Sequence, residues 1–226
     1  MTSRPVVIAT DAPVVIAIDG PAASGKGTLA ARLAAHYGYA RLDSGRLYRA
    51  TDRHLREIGG NPADPADATR AARLVRAADL DDPALLADDI AVAASQISVH
   101  PEVRAALLAF QRDFAAHPPG GAPGAVIDGR DIGTVVCPDA PVKLFVTASL
   151  EIRAERRLKE LRERGRDSIK ARVLQDMRER DARDAERAHS PLRPAEDAHL
   201  VDTTGLDADQ AFDIARALID AVRRRP

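Results

Sequence analysis

A glycine-rich segment near the N-terminus has the spacing of a phosphate-binding loop (P-loop): Gly20-Pro21-Ala22-Ala23-Ser24-Gly25-Lys26-Gly27-Thr28. An apolar, β-branched run at residues 14–18 precedes it and is typical of a strand buried on both faces, and a helical pattern follows at residues 28–36. Glycines let the backbone curl so that its N–H groups point at phosphate oxygens, and the start of a helix adds a positive end. We therefore expect all nine residues to bind a nucleoside triphosphate, with Lys26 at the β- and γ-phosphates and the Thr28 hydroxyl at Mg²⁺ or a phosphate oxygen.

The rest of the chain alternates short apolar runs with helical patterns. Strand-length runs occur at residues 125–127, 142–146 and 200–202, and amphipathic or charged helical stretches separate them. Such alternation predicts an α/β fold of the P-loop NTPase kind, in which a parallel sheet is covered by helices on both faces. Ligands of such sheets bind beyond the carboxyl ends of the strands, where the P-loop stands.

Composition limits the classes of partner. The formal net charge of the 226-residue chain is -1, aromatic residues make up 3%, and there is one cysteine. No overall basic field would draw such a chain to nucleic acid or to a membrane surface, so we expect neither as a partner. The N-terminal residues lack the pattern of a signal peptide, and the longest apolar runs are of strand length. A lone cysteine is compatible with a reducing compartment. We therefore expect a cytoplasmic protein.

Two further motifs combine basic side chains with strand or helix ends. Ser44 is in a favourable position to cap a helix that carries Arg49, so an anion could meet both the helix start and the guanidinium, although a plain capped helix would look the same. The segment Asp128-Gly129-Arg130-Asp131 follows a buried strand. It could form part of a site, with Asp128 as a weaker candidate than Thr28 for ordering metal-bound water, or it could be a turn held by an ion pair.

A third set lies on one predicted helix. Arg180, Asp184 and Arg187 are spaced i, i+4 and i+7, so they would share one face of that helix. Two guanidinium groups on one face can clamp phosphates through charge-assisted, bidentate hydrogen bonds. A solvated helix with internal ion pairs remains the alternative at this point.

Taken together, these residues resemble the bacterial cytidylate kinases, a family of P-loop nucleoside monophosphate kinases, from residue 16 to about residue 204. The motif that carries the resemblance most specifically is Asp-Gly-Arg-Asp-Ile-Gly-Thr-Val-Val at residues 128–136. A glycine between the lysine and the threonine of the P-loop, here Gly27, also resembles the P-loops of nucleoside monophosphate kinases. Adenylate kinases would have Thr-Gly where this chain has Ser44-Gly45. The segments that carry the resemblance stand in the family's order: residues 18–21, 25–28, 42–49, 94–96, 103–108, 111–112, 128–136, 138–143, 180–187 and 191–192.

The resemblance implies a domain organisation. Residues 1–12 would be a flexible leader, and residues 13–226 would be a single P-loop kinase domain. Its core would comprise residues 13–50, 98–150 and 190–226, with a lobe for the nucleoside monophosphate at about 51–97 and a helical lid at about 151–189. The insert is shorter than is common in the family, and Leu85 and Leu86 stand about where an Ile-Arg pair would, so we expect a trimmed and more helical acceptor lobe.

The resemblance also implies a reaction: transfer of the γ-phosphoryl group of ATP to CMP or dCMP, with Mg²⁺ as cofactor and a monomeric enzyme. Carried over to this chain, the CMP-binding residues divide into three groups. Ser44, Arg49 and Arg130 would bind the acceptor phosphate, Ser95, Arg104 and Asp131 would recognise cytosine, and Asp184 would bind the sugar hydroxyls. Arg180 and Arg187 would bind phosphates, and Arg156 would lie against the adenine of ATP. The catalytic set would be Lys26, Arg130, Arg180 and Arg187.

Two alternatives remain at the level of sequence. One is a kinase of another small molecule, such as shikimate or dephospho-coenzyme A, because many such enzymes use a P-loop. The other is a nucleotide-dependent switch, but the chain has no Asn-Lys-x-Asp motif of the kind that reads guanine.

Overall fold

The computed structural model describes residues 13–223. Within that range five strands form one sheet in the order β2-β3-β1-β4-β5, and each neighbouring pair is parallel. The strands are β1 (Val14–Asp19), β2 (Ala40–Asp43), β3 (Gly124–Gly129), β4 (Val142–Thr147) and β5 (His199–Asp202). The predicted parallel sheet is confirmed, while the predicted leader at residues 1–12 lies outside the described residues.

Helices connect the strands and cover the sheet. They are α1 (Lys26–Tyr37), α2 (Ser44–Glu57), α3 (Pro65–Ala72), α4 (Asp88–Ile97), α5 (Pro101–Ala116), α6 (Leu150–Glu163), α7 (Lys170–Glu186) and α8 (Ala208–Arg223). Short 3₁₀ helices occur at Ala77–Asp81, Pro83–Leu86 and Pro119–Gly121, and a π-helical turn occurs at Ile132–Val136. None of the helices within residues 13–223 combines the length and the apolarity that crossing a membrane requires.

The sheet separates two apolar clusters because successive side chains of a strand point to opposite faces. Ile16 and Ile18 of β1 pack with helices α1 and α8, whereas Ala17 between them packs with α2, α3 and α5. A smaller third cluster joins α6 to α7. Each strand in the middle of the sheet is therefore buried on both faces, which explains the continuous apolar runs in the sequence.

The segment predicted to be the acceptor lobe is built from helices and turns. Among its described residues, 51–97, there is no strand, and α2 packs with α3, with α4 and with both 3₁₀ helices. The expectation of a helical insert therefore agrees with the secondary structure, whereas its shortening and the division of the domain into core, lobe and lid stay predictions.

Gly20, where β1 enters the P-loop, is required by a close approach of backbone. Its φ is 151°, and a Cβ there would overlap the carbonyl oxygen of Val146 on the neighbouring strand β4. We expect Gly20→Ala to lower the free energy of unfolding by about 3 kcal/mol, since neither backbone can move without breaking the sheet. Gly38→Ala is the matched control: its φ is 65° but a Cβ there would meet nothing within 4 Å, so it should cost only about 1 kcal/mol. Urea unfolding measures both, and equal losses would contradict this explanation.

Candidate active site

The P-loop lies between β1 and α1, as the sequence predicts, and its backbone is unusual. Gly25 caps the helix in a left-handed conformation, and Ala23 also has a positive φ, 58°. The Lys26 ammonium folds back on the loop and donates a hydrogen bond to the carbonyl oxygen of Pro21 at 3.1 Å. The Ser24 hydroxyl is fully buried and has no hydrogen-bond partner among the described residues, whereas Thr28 is exposed at the first turn of the helix.

The electrostatics of the loop favour an anion. Burial lowers the pKa of Lys26 to about 7, and the neighbouring guanidinium groups of Arg130 and Arg180 act in the same direction. A cation held among other cations and away from water is costly unless a negative group joins it. The carboxylates of Asp43 and Asp128 offset this only in part, so the chain places a partly compensated positive cluster at the carboxyl end of β1.

The lowered pKa of Lys26 predicts a pH-dependent stability. Between about pH 7 and pH 10 the unfolded chain still holds the lysine proton and the folded protein does not, so the unfolding free energy rises with pH across that window. We expect a rise of about 2 kcal/mol from pH 7 to pH 9, since one group contributes at most about 1.4 kcal/mol per pH unit. Lys26→Met should lack that rise in urea unfolding, and parallel profiles for the two proteins would contradict it.

Residues at the start of α2 face the segment after β3. The expectation that Ser44 caps the helix is wrong: Asp43 is the N-cap, its carboxylate accepts a hydrogen bond from Gly45 N at 2.9 Å, and Ser44 is the first helical residue. The carboxylate of Asp43 is the better cap because it is charged and also ends β2. Ser44 is buried instead, with its hydroxyl so close to Gly129 that a Cβ at that glycine would overlap it.

Arg49 extends from the same helix toward the shortened insert. Its Nη1 donates to the carbonyl oxygen of Leu85 at 3.0 Å, and burial lowers the pKa of the guanidinium. Arg164, at the end of α6, donates to the neighbouring carbonyl oxygen of Leu86 at 2.8 Å. The insert segment is therefore held between α2 and the predicted lid.

The structure brings two of the three residues expected at cytosine, Arg104 and Asp131, into direct contact. Arg104 forms an ion pair with Asp131, and its guanidinium lies 5.6 Å from the centre of the Tyr48 ring. Ser95 is buried with a hydroxyl that has no partner among residues 13–223. Ser98 links it to Arg104: the Ser98 hydroxyl donates to the Ser95 carbonyl, and the Ser98 carbonyl accepts from Arg104 Nη1 at 3.3 Å.

Asp184 and Arg180 of α7 lie beside Arg130. Asp184 accepts a hydrogen bond from Arg130 Nε at 2.9 Å, and burial together with Arg130 lowers the pKa of Arg180 to about 10. The expectation that Arg187 belongs to the helix is wrong in detail: α7 ends at Glu186, and Arg187 is the C-cap with extended backbone. Its side chain still donates to the Ser190 carbonyl at 2.7 Å, and burial and nearby Arg104 lower its pKa.

Arg156, expected at adenine, lies on α6 beside the P-loop. Its Nη1 would be 3.8 Å from a Cβ at Gly25 and donates to the Thr203 hydroxyl at 2.9 Å, and its Nη2 donates to the Thr203 carbonyl at 2.7 Å. The guanidinium is thus held between the P-loop and the segment after β5.

Three site residues were missed by the sequence reasoning. Arg153 on α6 is buried, donates to the P-loop carbonyl of Ala22 at 3.3 Å and pairs with Asp181 of α7 at 2.6 Å. Arg41 lies 3.4 Å from the buried carboxylate of Asp128, whose pKa is raised to about 6, chiefly by burial. The third is Asp19, whose carboxylate accepts hydrogen bonds from two backbone N–H groups after Asp131.

Only one of these three gave a usable signal in the sequence. Asp19 is a charged residue at the end of an otherwise apolar strand, directly before the P-loop, and a buried strand end is an expensive place for an unpaired charge. Arg153 and Arg41 lie among many other charged residues, so nothing marks them.

Comparisons with known proteins bear on the family to which the chain belongs. The family model described as cytidylate kinase matches residues 16–221. The chain is 61% identical to the cytidylate kinase of Paramagnetospirillum magneticum over 202 residues, which cover 89% of this chain and 95% of that protein. It is 57% identical to the cytidylate kinase of Rhodospirillum rubrum over 194 residues, which cover 86% and 91% of the two chains.

A solved structure of an uncharacterized protein from Eubacterium ventriosum is 17% identical, with a TM-score of 0.51 over 94% of this chain and 99% of that one, and shows the shared fold alone. The fold and the match over nearly the whole sequence lead to one conclusion: this chain belongs to the cytidylate kinase family.

Proposed function

We propose that the protein transfers the γ-phosphoryl group of ATP to CMP and dCMP, giving CDP or dCDP and ADP. One observation carries the proposal: Lys26 of the P-loop lies within electrostatic reach of Arg130 and Arg180, and Arg130 directly precedes Asp131, the partner of Arg104. A donor-phosphate site and a base-reading pair are thereby joined by one short segment.

Recognition of cytosine follows from hydrogen-bonding chemistry. Cytosine presents an amino donor and two acceptors, so a carboxylate or hydroxyl can meet the donor and a guanidinium can meet the acceptors. Asp131, Ser95 and Arg104 supply these groups. Uracil reverses the polarity at two of these points and would leave buried groups unpaired, which is a costly mismatch.

Binding of the acceptor phosphate and the sugar is assigned to neighbouring groups. Ser44, Arg49 and Arg130 would bind the CMP phosphate, and Asp184, held by Arg130, would accept hydrogen bonds from the sugar hydroxyls. Arg49 at present donates to a backbone carbonyl of the insert, so it would exchange that neutral acceptor for an anionic one, which makes a stronger hydrogen bond.

Transfer itself needs positioning and positive charge rather than a covalent intermediate. Lys26, Arg130, Arg180 and Arg187 would stabilise negative charge on the moving phosphoryl group, and their mutual repulsion in the free protein is relieved when phosphates bind. Arg156 would orient the adenine of ATP. Arg153 ties the P-loop to the two lid helices, so closing the lid and completing the phosphate site would be one event, and water would be excluded from the reaction.

Mg²⁺ fits the residues at the loop. Thr28 and Asp128 offer hard oxygen ligands, and within residues 13–223 no cluster of three or more acidic, cysteine or histidine side chains forms a complete metal cage. Mg²⁺ in kinases is held by one or two protein oxygens together with substrate phosphates and water, so a small donor set is what such a site needs. When bound, the ion would neutralise charge on the β- and γ-phosphates.

The proposal is tested by coupled measurement of ADP release with CMP, dCMP, UMP and AMP as acceptors, each with Mg²⁺ and with EDTA. We expect turnover with CMP and dCMP, poorer turnover with UMP, and none with EDTA. Activity on AMP but not on CMP would refute it. Shikimate and dephospho-coenzyme A belong to the same panel, and slow ATP hydrolysis that no acceptor stimulates would indicate a switch instead.

We propose that the enzyme acts as a monomer in the cytoplasm, where ATP and nucleoside monophosphates are available, with nucleotides as its partners.

A further inference from the structure

Asp19 makes a contact that links two parts of the site. It is the last residue of β1, immediately before the P-loop, and is only 4% exposed. Its Oδ1 accepts a hydrogen bond from Ile132 N at 2.8 Å and its Oδ2 accepts one from Gly133 N at 2.8 Å. The two N–H groups belong to the first residues of the π-helical turn, and such groups lack partners within a helix.

The residue before this turn is Asp131, which caps it and pairs with Arg104. The Asp131 carbonyl accepts hydrogen bonds from Val135 N and Val136 N, so the turn and Asp131 form one rigid unit. Asp19 is the described side chain that ties the start of this unit to β1, and Arg112 holds its far end through the carbonyls of Val135 and Val136.

We propose that Asp19 is a positioning residue that ties the ATP-binding loop to Asp131, and that the selection of CMP as acceptor depends on it. The inference rests on the proposed phosphorylation of CMP.

The two sides of the contact depend on Asp19 unequally. Its backbone is paired with Gly129 of β3 and Phe145 of β4, so the sheet holds the entrance of the P-loop even without the carboxylate. The start of the turn has no such ladder. Loss of the carboxylate should therefore disturb Asp131 and Arg104 much more than ATP binding.

The contact requires a carboxylate that is removed from water, which is energetically unfavourable for its ionised form. Burial raises the pKa of Asp19 to about 6 even though both backbone hydrogen bonds lower it. A carboxylate that is desolvated in this way is stabilised in its ionised form chiefly by the N–H groups it accepts. An asparagine could accept from one N–H but would turn an NH₂ group toward the other.

Asp19→Asn tests the inference in steady-state kinetics. We expect the KM for CMP to rise about tenfold, the KM for ATP to change less than twofold, and the ratio of kcat/KM for CMP to that for UMP to fall about tenfold. This split distinguishes positioning of the acceptor from general loss of structure. Asp52→Asn is the matched control, because Asp52 is also a buried aspartate, 2% exposed, but pairs with Arg56 in the acceptor lobe, and it should leave the selectivity unchanged.

A second variant keeps the test decisive if Asp19→Asn does not fold. A Cβ at Gly133 would lie 3.2 Å from Lys143 Cδ and 3.4 Å from Asp19 Oδ2, so it would crowd the start of the turn, and we expect Gly133→Ala to displace the same contact from the other side. We expect the KM for CMP to rise about threefold and the ratio of kcat/KM for CMP to that for UMP to fall about threefold, while the KM for ATP changes less.

Equal changes in both KM values, or unchanged selectivity, would overturn the inference while leaving the proposed function intact. A wild-type protein that does not phosphorylate CMP would overturn both.

Discussion

Arg180→Met is expected to lower kcat with CMP about a thousandfold and to raise the melting temperature of the nucleotide-free protein by a few degrees. The loss follows from removing a charge that acts on the transferred phosphoryl group, since single arginines of this kind contribute factors of 10³ or more. The gain in stability follows because burial and Arg130 lower the pKa of Arg180 to about 10, which means that its charge is destabilised in the folded protein.

The environment of Arg180 supports both the expected loss of kcat and the expected rise in melting temperature. Its Nε is buried and has no hydrogen-bond partner among the described residues, and methionine fills a similar volume without a charge. Arg178→Met on an exposed position of the same helix is the control and should change neither kcat nor the melting temperature appreciably. The assignment fails if Arg180→Met retains kcat within tenfold. A lower melting temperature would show that the charge is compensated in the free protein.

Arg104→Met is expected to lower kcat/KM for CMP several hundredfold while changing the affinity for ATP less than threefold. The guanidinium is assigned to the acceptors of cytosine, and it also neutralises Asp131, so its loss removes one recognition group and leaves the other buried and unpaired. Initial-rate kinetics give the first quantity, and titration with ATP gives the second.

A double-mutant cycle separates the two effects. Because Arg104 and Asp131 act as a pair, the losses from Arg104→Met and Asp131→Ala should not add, and the double variant should be little worse than either single one. Arg56→Met removes a guanidinium from another buried carboxylate, Asp52, and should leave the choice of acceptor unchanged. If Arg104→Met weakened ATP and CMP to the same extent, its assignment to cytosine would be wrong.

Local patterns in the chain were enough to predict the fold class and the place of the P-loop between a strand and a helix. A continuous apolar run next to a glycine-rich loop and a helical pattern has few structural solutions, because backbone geometry and side-chain periodicity act over a few neighbouring residues. The P-loop and the strands β1, β3, β4 and β5 were predicted in this way, whereas the short strand β2 was not. Boundaries were less accurate, as Asp43 instead of Ser44 at the start of α2 illustrates.

The partners of charged side chains required the folded chain. Arg130 pairs with Asp184, Arg41 with Asp128 and Asp19 with the N–H groups of residues 132 and 133, over separations of 54, 87 and up to 114 positions. With 33 basic and 34 acidic residues, composition allows very many such pairs. The sheet order decides among them, because it brings the carboxyl ends of β1, β2 and β3 to one edge.

The P-loop and the general chemistry of a phosphate site were thus readable from consecutive residues. The connection of that loop to Asp131, through a carboxylate at the end of one strand and a turn after another, exists only where adjacent parallel strands end side by side.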